Sequence, residues 1–162
     1  MTIDYKKISQ NLKFEGRAFI DGKYVDAIDG EKFENINPAT GEVLCAVSKC
    51  NHKDVDLAVK VSRKAFNSGI WSRTSPEFRK DVLLKFAELL RQTGEENSVL
   101  ECVDTGKLIG DCINEVANDA PMHFQWYGEL IDKVFGKVGP TEPSLTSLIV
   151  KEPIGVVAGV VP

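Results

Sequence analysis

Residues 151–162 read KEPIGVVAGVVP, and this stretch decides what kind of fold the chain enters. From Ile154 to Val161 there is no polar side chain, and five of the eight residues are Val or Ile. A run of that length and branching predicts a strand buried on both faces, as at the centre of a parallel sheet. A parallel neighbour reaches such a strand only through a crossover, usually a helix. The expected class is therefore α/β. Because the run stops at Pro162, the strand is also expected to lack at least one neighbour, exposing an apolar edge.

Working outward, LTSLIVKE (145–152) predicts a preceding strand that Pro153 breaks, and GKVGPTEP (136–143) reads as linker. Upstream lies helical sequence from about Asp111 to Phe135, kinked or broken at Pro121, which cannot donate the helical bond. EENSVLECVD (95–104) is a shorter helix stopping at Gly106. Ser75-Pro76-Glu77 opens another, with a cap, a proline in the first turn and an acid near the positive end. Its inner face is Val82, Leu83, Phe86, Leu89 and Leu90, and Gly94 is expected to end it. Asn51 and Asp54 resemble an N-cap pair, followed by Val55, Ala58, Val59, Ser62 and Phe66 at helical spacing until Gly69. Val59, Phe66, Leu83, Phe86 and Leu90 are expected to be buried.

The N-terminal part reads as a strand meander. Asp21-Gly22 within FIDGKYV (19–25) marks a primed hairpin turn. A second Asp-Gly at 29–30 precedes a third strand carrying Phe33 and Ile36. NPATG (37–41) is a turn, and EVLCAVS (42–48) is another strand.

An apolar share of 43% and a charged share of 27% suit a globular chain and argue against disorder. A net charge of −4 without a Lys/Arg run removes the electrostatic case for nucleic acid. No apolar run approaches a membrane span, and MTIDYKKISQNLKF (1–14) lacks the apolar core of a signal peptide. Cys45, Cys50, Cys102 and Cys112 are too scattered for a disulfide framework, so reduced thiols and a cytoplasmic location are expected.

General chemistry singles out little. Cys45, Cys50 and His52 form C-x4-C-x-H, but a structural zinc site takes four ligands, and two half-buried thiols near a strand end is the plainer reading. Cys102 and Cys112 have no nearby His to activate them. DTGKLIG (104–110) lacks phosphate-loop spacing and follows a helix, which makes Gly106 a C-cap. GVVAG (155–159) is not a dinucleotide fingerprint, and Trp71, Trp126 and Tyr127 read as core or interface aromatics.

Taken together, FIDGKYV (19–25), INPATGEVL (36–44), DVDLAVKVSRKAFNSGIW (54–71), RKDVLLKFAELLR (79–91), DTGK (104–107), WYGELIDKVFG (126–136) and VKEPIGVVAGVVP (150–162) resemble the aldehyde dehydrogenase superfamily. The wording is closest to enzymes acting on amino- or glutamyl-amino-aldehydes. The resemblance implies the N-terminal third of such an enzyme, an incomplete Rossmann-like coenzyme domain. Residues 1–16 would be an N-terminal tail, 17–140 part of the coenzyme domain, 141–153 the first strand of a bridging or oligomerisation element, and 154–162 the first Rossmann-like strand.

The resemblance further implies an NAD or NADP coenzyme, a small aldehyde substrate and a homo-oligomer. In that chemistry a cysteine thiolate adds to the aldehyde, donors hold the oxyanion, hydride leaves for the coenzyme and a glutamate-activated water releases the acid. None of the four cysteines matches that nucleophile, so the 162-residue chain is expected to be inactive alone. Val160, Val161 and Pro162 would line the nucleotide cleft, at the carboxyl end of a strand where open α/β sheets bind ligands. A structural monovalent cation would sit among backbone oxygens of Asn35 and Ile36 and the carboxylate of Asp104, unless Asp104 only caps the following loop. The rival reading is a stand-alone interaction module that keeps the meander and helices to bind a partner.

Overall fold

The computed structural model describes residues 3–161. A short helix, α1 (Tyr5–Ser9), lies against the later helix over Gly94–Thr105 and gives structure to what was expected as a tail. β1 (Ala18–Ile20) and β2 (Lys23–Val25) then form an antiparallel hairpin. Its turn puts Asp21 at φ 54° and Gly22 at φ 76°, the two left-handed residues that a primed turn requires. β3 (Lys32–Ile36) and β4 (Val43–Ser48) pair separately, so the expected meander is two independent hairpins.

Two long helices follow. α2 (His52–Ser68) starts on a capping box in which the Asn51 side chain and the Asp54 carboxylate each take a backbone N–H of the other's turn. Gly69 at φ 74° ends it in the left-handed conformation that only glycine takes cheaply. α3 (Pro76–Gln92) starts on Ser75, whose hydroxyl accepts from Phe78 N. Gly94 does not end this helix. Thr93 separates it from α4 (Gly94–Thr105), which Gly94 opens. The reason is packing: a Cβ at Gly94 would meet Ala117 at 2.9 Å, so the glycine is there for close approach.

The helical stretch from Asp111 onward, expected to be kinked or broken at Pro121, is instead continuous and changes its winding just before the proline. α5 (Ile109–Cys112) runs into a π-helical segment (Ile113–Asp119) and then α6 (Ala120–Leu130), ending in a 3₁₀ turn (Ile131–Lys133). Pro121 follows the π segment directly, at the point where the bonding has shifted to the wider register, with Ala120 N donating to Glu115 O. The core lies among α3, α4, the π segment and α6, around Ala87, Ser98, Val99, Cys112 and Pro121. Gly128 lets α6 approach α3, since a Cβ there would stand 3.1 Å from Leu83 Cβ.

Three expectations fail in instructive ways. Val59 and Phe86 are exposed, at 50% and 42%, while Phe66, Leu83 and Leu90 are only half-buried. Their stripes are real, but α6 covers the α3 stripe only in part, through Gly128 and Phe124, and leaves Phe86 exposed. Within GKVGPTEP, read as linker, Lys137–Gly139 is a strand, β5, paired antiparallel with β6 (Ser147–Ile149). Residues 154–161 form no strand: with no ladder partner the backbone stays irregular, and every pairing in the described residues is antiparallel. The apolar pattern was that of a strand, but a strand exists only when something pairs with it.

Candidate functional site

The first candidate brings β3 and the end of α4 together. Asp104 lies in the last turn of α4, and Gly106 caps that helix at φ 77°. The reversal sets the Pro38 ring where a Cβ on Gly106 would stand, 2.9 Å away. This seats the Asn–Pro turn on the helix end. Asn35 Nδ2 donates to Asp104 Oδ1 across 69 residues of sequence. Ile36 follows on the far side of a register shift in the β3–β4 pair, which re-aims the backbone at that point. Two of the three expected cation residues therefore touch, and the third is adjacent.

The chemistry there is a carboxylate, an amide and exposed backbone. No group of three or more His, Cys, Asp or Glu side chains that could hold a metal occurs among the described residues, which argues against a transition-metal reading of Cys45, Cys50 and His52. A hard cation with carbonyl and carboxylate ligands fits the oxygen-rich donor set, with one Asp104 oxygen engaged by Asn35.

The second candidate is the closing stretch. Val160 and Val161 are 97% and 82% exposed, and Pro162 falls outside the described residues. Their surface is apolar and open, suited to one wall of a cleft. No helix N-terminus follows within the described residues to receive a phosphate. A cavity of about 810 Å³ lies elsewhere, between α2, the α2–α3 corner and residues 151–157. It is lined by Phe66, Trp71, Arg79, Glu152, Ile154 and Val157 among others.

Cys50 and Cys112 are shifted away from activation. Cys112 is buried, and burial pushes its thiol up, with Cys102 and Glu101 adding to the effect. Cys50 is exposed, not half-buried as expected, yet its thiol is also raised, by desolvation and then by the Asp54 and Asp29 charges. Cys102 donates to Lys107 O at 3.1 Å, and Cys45 is half-buried on β4. A nucleophilic cysteine needs the opposite shift.

Trp71, Trp126 and Tyr127 are exposed, which removes the core reading. Two contacts between distant segments had no clear sequence signal. Asp54, recognised as half of a cap, also accepts from Ile28 N at 2.9 Å and ties the first hairpin region to α2. Arg63 lies over the Phe66 ring and against Gly155. The only hint was a glycine following Pro153-Ile154 in an otherwise β-branched run. No helix is long and apolar enough to cross a membrane among the described residues.

Comparison with known proteins adds a consistent picture. The profile of the aldehyde dehydrogenase family matches residues 24–162. An aminoacetaldehyde dehydrogenase of Pseudomonas aeruginosa is 40% identical over 159 residues, covering 98% of this chain and 32% of that relative. The NADP/NAD-dependent aldehyde dehydrogenase PuuC of Escherichia coli is 40% identical over 152 residues, covering 94% and 31%. Among solved structures, a mutant of the P. syringae indole-3-acetaldehyde dehydrogenase AldA, in complex with NAD+ and IAA, superposes with a TM-score of 0.90 at 41% identity. That match covers 94% of this chain and 31% of the other. The chain thus spans about a third of the length of the curated relatives it matches.

Proposed function

The chain belongs to the aldehyde dehydrogenase family, and from that premise we propose that it builds the N-terminal part of the coenzyme domain of an enzyme oxidising an aldehyde to a carboxylic acid. The observation that carries this reading is the superposition, over 94% of the chain, on a relative whose structure holds NAD+. NAD or NADP is the coenzyme in this reading, and when bound it would accept the hydride from the substrate carbon. The substrate class is amino-aldehydes, which the kinship to an aminoacetaldehyde dehydrogenase favours. A cytosolic setting suits the four free thiols.

This chain's own part is positioning. Val160 and Val161, followed by Pro162, supply one apolar wall of the nucleotide cleft. Asp104 and the backbone oxygens of Asn35 and Ile36 hold a structural monovalent cation that pins the Asn–Pro turn to the end of α4. The β5–β6 ribbon, with Val138, Leu148 and Ile149 exposed, is the start of a bridging element covered in a homo-oligomer. None of Cys45, Cys50, Cys102 or Cys112 matches the family's nucleophile, and the Cys50 and Cys112 thiols are moved away from the thiolate. By itself, residues 1–162 should not turn over aldehyde.

The test is a chimera in which residues 24–162 replace the matching segment of the P. aeruginosa aminoacetaldehyde dehydrogenase. The expected result is an assembled protein that reduces NAD or NADP on addition of aminoacetaldehyde, followed by absorbance. A chimera that assembles like its parent yet binds neither coenzyme would overturn the assignment.

A further inference from the structure

Gly155 sits at φ 119°, a backbone conformation that residues with a Cβ rarely adopt. A Cβ built there would lie 2.9 Å from Arg63 Nη1, 3.7 Å from Nη2 and 3.7 Å from Cζ. The guanidinium therefore packs directly on the glycine backbone. The same guanidinium carbon stands 5.7 Å from the centroid of the Phe66 ring, one turn further along α2. Phe66, Ile154, Gly155 and Val156 line one cavity, and Arg63 stands between its ring and its glycine.

The energetic setting makes this contact matter. Residues 150–161 have no ladder, and nothing in a sheet fixes their course. A segment without backbone pairing retains its conformational entropy unless side chains from elsewhere hold it. Arg suits that role, because its flat, weakly hydrated guanidinium can stack on a ring and lie along a peptide at once, which an ammonium cannot do. Glycine is the matching half, because both the torsion and the missing Cβ are needed for the approach.

We propose that Arg63 is a positioning residue: stacked on Phe66, it seats Gly155 and directs the segment leading to Val160 and Val161 along α2. Its consequence for coenzyme binding rests on the function proposed above, but the clamp itself does not. The experiment is chosen so that the two can fail separately, since it uses no coenzyme.

Backbone amide relaxation of the full chain reports it. In the parent, the amides of Gly155, Val156 and Val157 should approach the order parameter of rigid backbone, about 0.85. In Arg63→Ala they should fall below about 0.6, the flexible range, while α3 and α6 amides stay unchanged. Gly155→Ala should loosen the same three residues, because its backbone cannot hold the native torsion. Arg63 is exposed, so its loss should leave the fold intact. Unchanged order at 155–157 in either variant would overturn the proposal. So would loosening that spreads through α3 and α6, which would make Arg63 a general stabiliser.

Discussion

Asp132, just after α6, accepts from Lys80 of α3 at 2.9 Å and from its neighbour Lys133 at 2.6 Å. Those bonds, Lys133 first and Lys80 second, lower its carboxyl from the ordinary value of 3.8 to about 2. The folded state thus prefers the ionised group more than the unfolded chain does. The resulting stabilisation is complete above about pH 4 and is lost as the pH falls through about 2. Because the pair is exposed, salt should weaken the effect. Urea unfolding of the parent and Asp132→Asn should therefore converge between pH 4 and 2, and sooner in high salt. Parallel curves across that window would show that the bridge contributes nothing. This contact pairs residues 52 apart, and no local pattern announces it. Asn51 and Asp54, three residues apart, could be read directly as a cap because a helix turn fixes their geometry. The reach of Asp54 to Ile28 could not, since it depends on where a loop comes to rest.

Elements were legible where their chemistry is local. The Asp21-Gly22 turn, the Asn51 and Ser75 caps and the left-handed Gly69 and Gly106 all follow from residues within a turn of one another. Burial was not legible in the same way. The stripe through Val59 and Phe86 tells which face of a helix is apolar, not whether another layer covers it, and here Phe86 stays 42% exposed although it meets Phe124 edge to face at 4.6 Å between centroids. Of the candidate cation site, the carboxylate and the turn could be picked out through family resemblance, whereas the Gly106–Pro38 contact joining them could not. That contact can be weighed against a matched control. Gly41 has φ 74° and nothing near its missing Cβ, while Gly106 has φ 77° and Pro38 at 2.9 Å. Gly41→Ala should cost about 1–2 kcal/mol for the torsion alone. Gly106→Ala should cost about 1–3 kcal/mol more, because the proline ring and its turn must move. Equal midpoints in urea for the two variants would mean that the turn is not seated on the helix end.

At the scale of the molecule, surface area frames the remaining question. The structure exposes 12472 Å². A compact monomer of 17.9 kDa would expose about 8,000 Å² by the usual scaling with mass. The excess, about 4,500 Å², is several times the roughly 800 Å² that one partner contributes to a standard interface. Much of it is apolar: Val59 and Phe86 on the helices, Val138 and Leu148 on the ribbon, Ile154 and Val160 on the closing stretch. Surface of this sort associates in water, and unpaired β-branched backbone does so by forming the strand it could not form alone. Purified residues 1–162 should therefore sediment as concentration-dependent assemblies. Replacing Ile154 and Val160, 92% and 97% exposed, by Lys should shift that equilibrium toward monomer without changing the helical circular dichroism. The charges would block edge pairing while touching no packed residue. If the double variant associated as strongly as the parent, the driving surface would be the open faces of α2 and α3. If the parent stayed monomeric at every concentration, the apolar run at 154–161 would have to fold back on the chain in a way this structure does not contain.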